Sequence, residues 1–434
     1  MPENSPDNSN LLVDEPNGLV SRRIFVDDAI FRRELETVFL RSWCLVGHDS
    51  EIPRPGDFVA RTLAAAPVIV VRDGDGGIKV LLNSCRHRGT QVCRADSGNV
   101  RFFVCPYHGW TYRPDGALVT TTFEKRLPED FDAAANGLLA APRVESFKGL
   151  IFASWNAHVE PLSSYLGDFA WYLELMFGRT PLGMEVLAPP QRWRAKANWK
   201  IGAVNMCGDN QHVVTTHLGP LTIDPLHQVL GGNTDVVDDS FQIMAGQGHA
   251  ATLTYLTEGL SANVYAMRPP DLEPYFKQAL APAQLAALDR LRVMVGTVFP
   301  NMSFLETQAG AGGKTLVLRL WVPISATDTE VLSWTFAEKE ASSAYKADAL
   351  RHGLHELGGA GVFEQDDVEM WSSATFATDN PVSRRLNYGF QTALPYAETP
   401  VPDFPWPGTA YRPIDTEVVQ LKFLAHWQRV MGQG

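Results

Sequence analysis

The spacing of apolar residues changes along the first third of the chain. In DDAIFRRELETVFLRSW (27–43), apolar side chains recur at helical spacing, which predicts an amphipathic helix that Asp27 can cap. From residue 51 onward, short β-rich runs alternate with turns of Gly, Asp and Pro. This pattern continues to about residue 156 and includes DGDGG (73–77), which predicts a hairpin connection.

The rest of the chain mixes helical and strand patterns. LGDFAWYLELMF (166–177) and APAQLAALDRLRVM (281–294) have the spacing of helices. KTLVLRLWVPI (314–324) and EVLSWTFAEK (330–339) are long apolar runs separated by a polar turn, which predicts a hairpin in an antiparallel sheet. Helices beside an antiparallel sheet are typical of an α+β fold.

These patterns divide the chain into three parts. An N-terminal arm and helix over 1–37 is expected to pack with the C-terminal part, a β domain covers 38–157, and an α+β domain covers 158–434. The predicted fold class is therefore α+β. An all-β domain is inserted in a domain that is built on an antiparallel sheet covered by helices.

Charge and composition limit the cellular location and the binding partners that can be expected for the protein. The formal net charge of −12 argues against nucleic acid or an anionic membrane surface as the main partner. No apolar run approaches the length needed to cross a bilayer, and the polar opening MPENSPDNSN lacks the apolar core of a secretory signal. Five cysteines in 434 residues are odd in number and sparse, which favours reduced thiols over disulfides. We therefore expect a cytoplasmic protein that binds neither nucleic acid nor membrane.

Two closely spaced Cys/His pairs carry the strongest chemical signal. Cys85 and His87 are separated by one residue, Cys105 and His108 by two, and a glycine follows each pair. Structural zinc could use two thiolates and two imidazoles, but zinc fingers usually take both thiols from one loop and both histidines from the other. One thiol and one imidazole in each loop instead suit two irons, as in Rieske-type [2Fe–2S] ligation.

A second candidate metal site lies far downstream. Asp209 and His212 are three positions apart, which on a helix places them on one face, and a helix must distort or end before His217. Two histidines alone are weak evidence, because histidines with ordinary core roles are common. Asp366 and Asp367 are adjacent in an apolar setting, and only one of them can point at a given metal. Two histidines and one carboxylate form the facial triad of mononuclear non-haem Fe(II) oxygenases.

At this point the chain resembles a known family. It is similar to the large, catalytic (α) subunits of Rieske non-haem iron aromatic-ring-hydroxylating dioxygenases of the naphthalene/biphenyl dioxygenase group. The resemblance extends nearly end to end and rests on the N-terminal helix and six motifs. These are CRHRG (85–89), CPYHGW (105–110), ANWK (197–200), GDNQHVVTTH (208–217), TVFPN (297–301) and FEQDD (363–367).

The resemblance implies two cofactors and a set of ligands for each. A Rieske [2Fe–2S] cluster would be bound by Cys85, His87, Cys105 and His108. A mononuclear Fe(II) would be bound by His212, His217 and Asp367, with Asp366 as a neighbour.

The resemblance also implies catalytic roles for Asp209 and Asn205. Asp209 matches the family's bridging aspartate, which links an iron-ligand histidine to a cluster histidine of the adjacent subunit. Three positions depart from the family pattern: Val204 stands where Glu is frequent, Gln211 where Tyr is frequent, and Met370 where Asn is usual. No predicted ligand is lost, so the departures concern the surroundings of the iron, and hence the substrate and the position of hydroxylation.

A substrate pocket is predicted from residues near the triad and on the elements that face it. These residues are Met206, Cys207, Val213, Val295, Leu305 and Leu357. An apolar lining suits a neutral aromatic hydrocarbon. Each of the six could equally be an ordinary core residue. The set contains no Arg or Lys, which disfavours an aromatic carboxylate as substrate.

The resemblance implies a terminal oxygenase that cis-dihydroxylates an aromatic ring with O2. Electrons from NADH would pass through a reductase and a ferredoxin to the cluster, and then to iron in a neighbouring subunit. No nicotinamide or flavin fingerprint is apparent in the sequence, so the reductase is expected to be another chain. Several arginines near the cluster loops could steer an acidic ferredoxin, although ordinary solvated arginines are common: Arg86, Arg88, Arg94, Arg101 and Arg113.

The resemblance further implies a homotrimer of α subunits with a small β subunit, α3β3. Three other functions remain open from the sequence. The first is a monooxygenase, or a dioxygenase of an aromatic carboxylate, on the same scaffold. The others are a Rieske electron carrier without catalysis, against which the intact triad argues, and a zinc-stabilised binding module.

Overall fold

Contacts divide the chain into two units. The computed structural model describes residues 11–122, 124–223, 240–255, 268–308 and 314–432. One unit runs from Phe39 to Ser164, and the other combines the residues up to Val38 with those from Tyr165 onward. The first unit ends beyond residue 157, where the sequence places the end of the β domain. The predicted domain assignments stay predictions.

The strands and helices are numbered along the described residues. The strands are β1 (Val13–Asp14), β2 (Leu19–Ser21), β3 (Cys44–His48), β4 (Asp57–Leu63), β5 (Ala66–Arg72), β6 (Ile78–Leu82), β7 (Ser97–Asn99), β8 (Phe103–Val104), β9 (Thr111–Tyr112), β10 (Leu118–Thr120), β11 (Arg143–Phe147), β12 (Leu150–Ser154), β13 (Met184–Val186), β14 (Gln191–Ala195), β15 (Phe241–Ala245), β16 (His249–Tyr255), β17 (Leu291–Val298), β18 (Met302–Gln308), β19 (Lys314–Ser325), β20 (Asp328–Glu338), β21 (Asn387–Gly389) and β22 (Thr409–Tyr411). The helices are α1 (Asp28–Glu34), α2 (Leu162–Leu166), α3 (Phe169–Phe177), α4 (Trp199–Asn205), α5 (Val213–Thr216), α6 (Leu218–Ile223), α7 (Glu273–Ala279), α8 (Pro282–Arg290), α9 (Ser343–Leu357), α10 (Val362–Thr378), α11 (Leu394–Ala397) and α12 (Val418–Gly432).

The smaller unit is built from short antiparallel strands. Its sheets have the strand orders β6-β5-β4-β7, β11-β12-β3 and β10-β9-β8. The predicted hairpin is confirmed, since β5 pairs with β6 and the Asp73 carboxylate accepts from the backbone N–H of Gly77 in the connection. The core of this unit includes the thiols of Cys85 and Cys105, which therefore lie on a packed apolar base.

The larger unit is built on a wide antiparallel sheet. Within the described residues it has nine strands, in the order β13-β20-β19-β18-β17-β16-β15-β22, with β14 also paired to β20. The predicted β19–β20 hairpin is confirmed, with Leu316 opposite Phe336. Consecutive residues of both strands are buried, because α9 and α4 contact β19. The predicted α+β class is confirmed.

Two sequence predictions for helices differ in outcome. Asp27 caps α1 as predicted, because its carboxylate accepts from the backbone N–H groups of Ala29 and Ile30. The helix predicted over 281–294 is wrong at its end: α8 stops at Arg290, and β17 begins at the next residue. Because β17 pairs with β16 and β18 on both sides, strand hydrogen bonds override the helical spacing of its first residues.

A buried ion pair joins the N-terminal helix to α4. Lys200, in the first turn of α4, pairs with Glu34 at the end of α1, and both side chains are fully buried. The Trp199 indole N–H donates to the same carboxylate over 3.1 Å. Loss of one partner of such a pair typically costs about 3–5 kcal/mol, because the other charge stays buried. The pair therefore fixes where α4 begins.

Among the described residues, no helix combines the length and the apolar character that a membrane span requires.

Two histidines are held neutral in the larger unit. The His249 ring is fully buried, with one nitrogen donating to the Tyr165 carbonyl and the other accepting from the Phe299 backbone N–H. Burial lowers the pKa of His249 to about 4. Burial, with the charges of His249 and Arg429, lowers the pKa of His426 to about 3. A proton therefore binds both rings more tightly in the unfolded chain.

We predict that acid destabilises the fold through these two rings. The unfolded pKa of His is about 6.5, so stability is lost as pH falls below that value and until it reaches the folded pKa. For His426 the loss between pH 7 and pH 5 should be about 2 kcal/mol. Thermal unfolding at the two pH values, compared between the chain and its His426→Gln variant, tests this. An equal loss of melting temperature in both would contradict the prediction.

Candidate metal centres

Two histidines flank a helix of a single turn. His212 directly precedes α5, and His217 follows it before α6 begins. The predicted helix break between the two histidines is therefore confirmed. Asp367 lies in α10, 150 residues further along the chain. Because α5 is so short, its two ends are close together, and both histidines face the same carboxylate.

The structure brings the three predicted iron ligands together. Asp367 Oδ1 lies 3.3 Å from His212 Nε2 and 3.4 Å from His217 Nε2. One donor atom from each residue lies within 4.8 Å of the other two. Asp367 and His217 are buried and His212 is half-buried, so the donor atoms are largely withdrawn from solvent.

The remaining ring nitrogens face acidic side chains. His212 Nδ1 lies 3.5 Å from Asp209 Oδ1 and 3.4 Å from Asn205 Nδ2, and His217 Nδ1 lies 3.3 Å from Asp366 Oδ2. An imidazole that binds a metal through Nε2 carries its proton on Nδ1, where a carboxylate can accept it. Asp209 and Asp366 are therefore placed to turn both Nε2 atoms toward Asp367.

Electrostatics at His212 favour a bound cation. Burial lowers the pKa of His212, but the hydrogen bond with Asp209 and the charges of Asp367 and Asp209 outweigh burial, and the pKa is raised above its ordinary value. Carboxylates that stabilise a proton on the ring also stabilise a metal cation beside it.

The predicted helical relation between Asp209 and His212 is wrong. Helix α4 ends at Asn205, and Gly208 has φ of 123°, which lies outside the helical region. The two residues meet because Asp209 Oδ1 accepts from the His212 backbone N–H at 3.4 Å, ahead of α5. A turn, and not a shared helix face, produces their contact.

A buried ion pair anchors α10 one turn before Asp367. Glu364 pairs with Arg319 of β19, and both side chains are buried. Burial raises the pKa of Glu364 to about 7; the charge of Arg319 opposes this rise and that of Asp367 adds to it. Arg319 Nη1 also lies 3.7 Å from Met206 Sδ, next to the turn before Asp209. The pair is not predicted above, although an arginine in the middle of an apolar strand indicates that it needs a buried partner.

A cavity of about 280 Å³ reaches His212 and Asp367. It is lined by Phe25, Ile201, Val204, Asn205, Asp209, His212, Thr216, Asp367, Met370, Trp371, Ala374, Tyr388, Phe390, Glu417 and Gln420. Both predicted catalytic residues lie in this lining. So do two of the positions that depart from the family pattern, Val204 and Met370.

The six residues predicted as an apolar substrate pocket are not among those that line this cavity. Met206, Cys207 and Leu357 are buried. Val295 and Leu305 are half-buried and lie opposite each other on β17 and β18. The substrate role of the six residues stays a prediction.

The two Cys/His pairs lie in loops with equivalent backbone hydrogen bonds. In 85–90 and in 105–110, the cysteine N–H donates to the carbonyl five residues on, and the glycine N–H donates to the cysteine carbonyl. Gly89 and Gly109 have φ of 74° and 68°, which glycine adopts readily. A Cβ at Gly109 would lie 2.3 Å from Thr122 Oγ1. The two loops thus share one backbone arrangement, in which the histidine stands two positions after the cysteine in the first loop and three positions after it in the second.

The side chains of the two loops fit a cluster with mixed ligands. Cys85 and Cys105 are buried, and the imidazole rings of His87 and His108 lie side by side with centroids 4.5 Å apart. Nδ1 of His108 is buried and has no hydrogen-bond partner among the described residues. Such an atom is rare in a protein, and metal ligation would satisfy it.

Tyr112 and Trp110 contact two of the predicted cluster ligands, Cys85 and His87. The buried Tyr112 hydroxyl accepts from the Arg86 backbone N–H at 3.2 Å and lies 3.2 Å from Cys85 Sγ. If Cys85 binds a cluster as a thiolate, which can only accept, the hydroxyl would donate its hydrogen to the sulfur. The Trp110 indole is stacked on the His87 ring, at 5.1 Å and 4°.

Comparison with known proteins defines the class. Residues 42–132 match the Rieske [2Fe–2S] domain, and residues 164–401 match the catalytic domain of the ring hydroxylating alpha subunit. The chain therefore belongs to the family of ring-hydroxylating α subunits, which are oxidoreductases with a Rieske cluster and a mononuclear iron. The family resemblance inferred from the sequence is confirmed.

Individual relatives cover nearly the whole chain. The biphenyl dioxygenase subunit alpha of Paraburkholderia xenovorans (strain LB400) is 35% identical over 97% of this chain and 93% of its own length. The N,N-dimethyl phenylurea N-demethylase subunit alpha of Sphingobium sp. (strain YBL2) is 35% identical, over 87% and 85%. The crystal structure of naphthalene 1,2-dioxygenase from Rhodococcus sp. bound to indole has a TM-score of 0.88 at 33% identity and covers 95% of this chain and 94% of that chain.

We predict that the three convergent side chains hold a metal on which activity depends. Ala at His212, His217 or Asp367 should remove the mononuclear iron and abolish product, and the visible and EPR signals of the cluster should stay unchanged. Asp366→Ala is the matched control and should be milder, because Asp366 contacts His217 without being one of the three donors. An inactive Asp366→Ala beside an active Asp367→Ala would reverse the choice within the pair.

We also predict that the Tyr112 hydroxyl tunes the cluster. A hydrogen bond to a ligand sulfur stabilises the more negative, reduced state, so Tyr112→Phe should lower the reduction potential by an amount on the order of tens of millivolts. Redox titration followed by EPR measures the shift. Tyr107→Phe, at an exposed neighbouring position, is the control. Equal potentials in wild type and Tyr112→Phe would mean that the contact has no electronic role.

Proposed function

We propose that the chain is the catalytic subunit of a dioxygenase that cis-dihydroxylates a neutral mono- or polycyclic aromatic hydrocarbon. The observation that carries the proposal is the convergence of His212, His217 and Asp367, whose donor atoms lie within 4.8 Å of one another, in a chain of the ring-hydroxylating α-subunit family. The similarity to biphenyl dioxygenase and naphthalene 1,2-dioxygenase supports an aromatic hydrocarbon as substrate.

In this proposal each metal group has its own ligands. The Rieske cluster is held by Cys85, His87, Cys105 and His108, and the ferrous iron by His212, His217 and Asp367. When bound, the cluster supplies electrons and the ferrous iron supplies the position at which dioxygen is activated.

The polar side chains next to the two histidines accept the ring protons and fix the orientation of the rings. Asp209 and Asp366 accept the Nδ1 protons of His212 and His217, which fixes the tautomer and the tilt of both rings. Asn205 Nδ2 lies beside the same nitrogen of His212 at the end of α4, but an amide N–H cannot accept the Nδ1 proton, so Asp209 is the acceptor. Asp209 Oδ1 makes the contacts with His212, and we infer that Oδ2 accepts from His108 of an adjacent subunit, as the family resemblance implies. Asp209 would then couple the two metal groups.

The proposed partners follow from the same resemblance. Electrons come from NADH through a separate reductase and a ferredoxin, and the active assembly is a trimer of α subunits with a small β subunit. The arginines near the cluster loops are exposed, which supports docking of an acidic ferredoxin: Arg86, Arg88, Arg94, Arg101 and Arg113. We also propose a cytoplasmic location, which the small and odd number of cysteines supports, and the net charge of −12 supports the absence of nucleic acid or membrane partners.

A second candidate function is monooxygenation at a substituent. The N-demethylase subunit from Sphingobium is as similar to this chain as the biphenyl dioxygenase subunit is, at 35% identity. The same metal ligands would then direct one oxygen atom to an N-methyl group instead of two to a ring.

Product analysis with ¹⁸O₂ distinguishes the two functions. The purified assembly, with NADH, reductase and ferredoxin, is offered biphenyl, naphthalene, N,N-dimethyl phenylurea and benzoate. We expect a cis-dihydrodiol from a hydrocarbon, with both labelled atoms from one dioxygen molecule. Formaldehyde release from the phenylurea, with no dihydrodiol from either hydrocarbon, would replace the proposal by N-demethylation. Preference for benzoate would contradict the neutral substrate, because the predicted pocket offers no cation for a carboxylate.

A further inference from the structure

The turn that carries Asp209 is held by side-chain amides. The carbonyl of Gly208 accepts from Asn210 Nδ2 at 3.0 Å and from Gln420 Nε2 at 3.1 Å. A carbonyl oxygen has two lone pairs, so these two donors satisfy it. Gln420 comes from α12, 212 residues away along the chain. A distant helix therefore holds the backbone immediately before Asp209.

A third amide ties the same turn to the segment before α12. Gln242 is fully buried, and its Nε2 donates to the carbonyls of Ile414 (2.9 Å) and Thr416 (2.6 Å). Asn210 Nδ2 also donates to the Ile414 carbonyl, at 3.0 Å. Gln242 Nε2 lies 3.5 Å from the Gly208 carbonyl, but both of its hydrogens are already donated to the carbonyls of Ile414 and Thr416. It therefore fixes the 414–416 segment, and through Asn210 this segment fixes the turn.

The turn needs this support because its backbone leaves the helical path. Gly208 has φ of 123°, and a Cβ there would lie 1.8 Å from Thr252 Oγ1. Backbone hydrogen bonds reach back only to α4, where the Asp209 N–H donates to the Asn205 carbonyl at 3.0 Å. The carbonyl of Gly208 and the nitrogen of Asp209 share one rigid peptide plane. Donors that fix the carbonyl thus fix the starting point of the Asp209 side chain.

Among the residues that the structure describes, the Gln420 amide makes one hydrogen bond, the one to Gly208. Its side chain is 2% exposed and lines the cavity next to Asp209. Its Oε1 is buried and has no hydrogen-bond partner within the described part of the chain. The Nε2 contact with Gly208 is therefore the bond that sets the orientation of this amide.

We propose that Gln420 and Asn210 are positioning residues that hold the Gly208 carbonyl and so direct Asp209 toward His212. The inference deepens the proposed function, because it rests on Asp209 orienting an iron ligand. It assigns no contact with substrate to Gln420.

Two isosteric variants of one helix test the proposal. Gln420→Glu replaces the donor by a carboxylate oxygen that faces the Gly208 carbonyl. Gln428→Glu is the matched control in α12: Gln428 Nε2 donates to the Val13 carbonyl at 2.9 Å, and its Oε1 accepts from the N–H groups of Leu12 and Val13. Hydrogen–deuterium exchange of peptides that cover 205–212 and 11–14 measures the local effect of losing each hydrogen bond, and it does not depend on activity.

We expect Gln420→Glu to accelerate exchange over 205–212 by about tenfold or more, and to slow product formation by a similar factor. Gln428→Glu should accelerate exchange over 11–14 only. Cluster absorption should be unchanged in both. If Gln420→Glu does not fold, Gln420→Met removes the donor without adding charge.

Unchanged exchange over 205–212, or equal acceleration there in the control, would overturn the positioning role. Faster exchange over 205–212 with normal product formation would support the hold on Gly208 and reject the role of Asp209 in the proposed function. The failures of the two proposals are thus distinguishable.

Discussion

The site depends on keeping a buried carboxylate between two imidazoles that come from a distant part of the chain. Asp367 Oδ1 faces both Nε2 atoms at 3.3 and 3.4 Å. Withdrawing a carboxylate from water is unfavourable unless positive charge or hydrogen-bond donors compensate. The two Nε2 atoms that face it carry lone pairs when the ring protons lie on Nδ1, so a metal cation among the three donors would provide this compensation. This contact therefore depends on the interactions that fix the position of α10 and of the two ends of α5.

Buried ion pairs fix the positions of two helices at the site, α10 and α4. Arg319 of the central strand β19 holds Glu364, one helical turn before Asp367, so α10 is fixed to the sheet close to the ligand. Lys200 and Glu34 fix the beginning of α4 against α1. Each pair sits on a regular element, and regular elements hold ligands more accurately than loops do. The exception is the turn around Gly208, which has no regular structure of its own.

The sequence predicted the structure correctly where interactions between residues close together in the chain decide it. The cap at Asp27, the two hairpins and the break between His212 and His217 follow from turn chemistry or helix geometry, and all are present. The same rules failed at residues 291–294, where pairing with β16 decides, and at Asp209, where a turn replaces the expected helix.

Long-range contacts were outside the reach of the sequence. Nothing in the sequence shows that Arg319 meets Glu364 or that Gln420 meets Gly208, since each pair joins segments far apart in the chain. The predicted iron ligands could be named because their residue types and spacing carry the chemistry directly, and the structure brings His212, His217 and Asp367 together. The six predicted pocket residues stay a prediction, because which apolar side chains face a cavity is set by packing and not by composition.

The departures at Val204 and Met370 acquire a physical meaning from the cavity. Both side chains line it beside Asp209, at positions where the family resemblance leads one to expect polar groups. Apolar side chains there cannot donate to Asp209, so its orientation must come from elsewhere. Two polar side chains of the same cavity, Glu417 and Gln420, come from the C-terminal segment. Glu417, whose pKa is raised by burial and by the charge of Asp209, opposes the aspartate and does not hold it. The amide of Gln420, acting through the Gly208 backbone, is then the contact from that segment that fixes Asp209 without adding charge to the cavity.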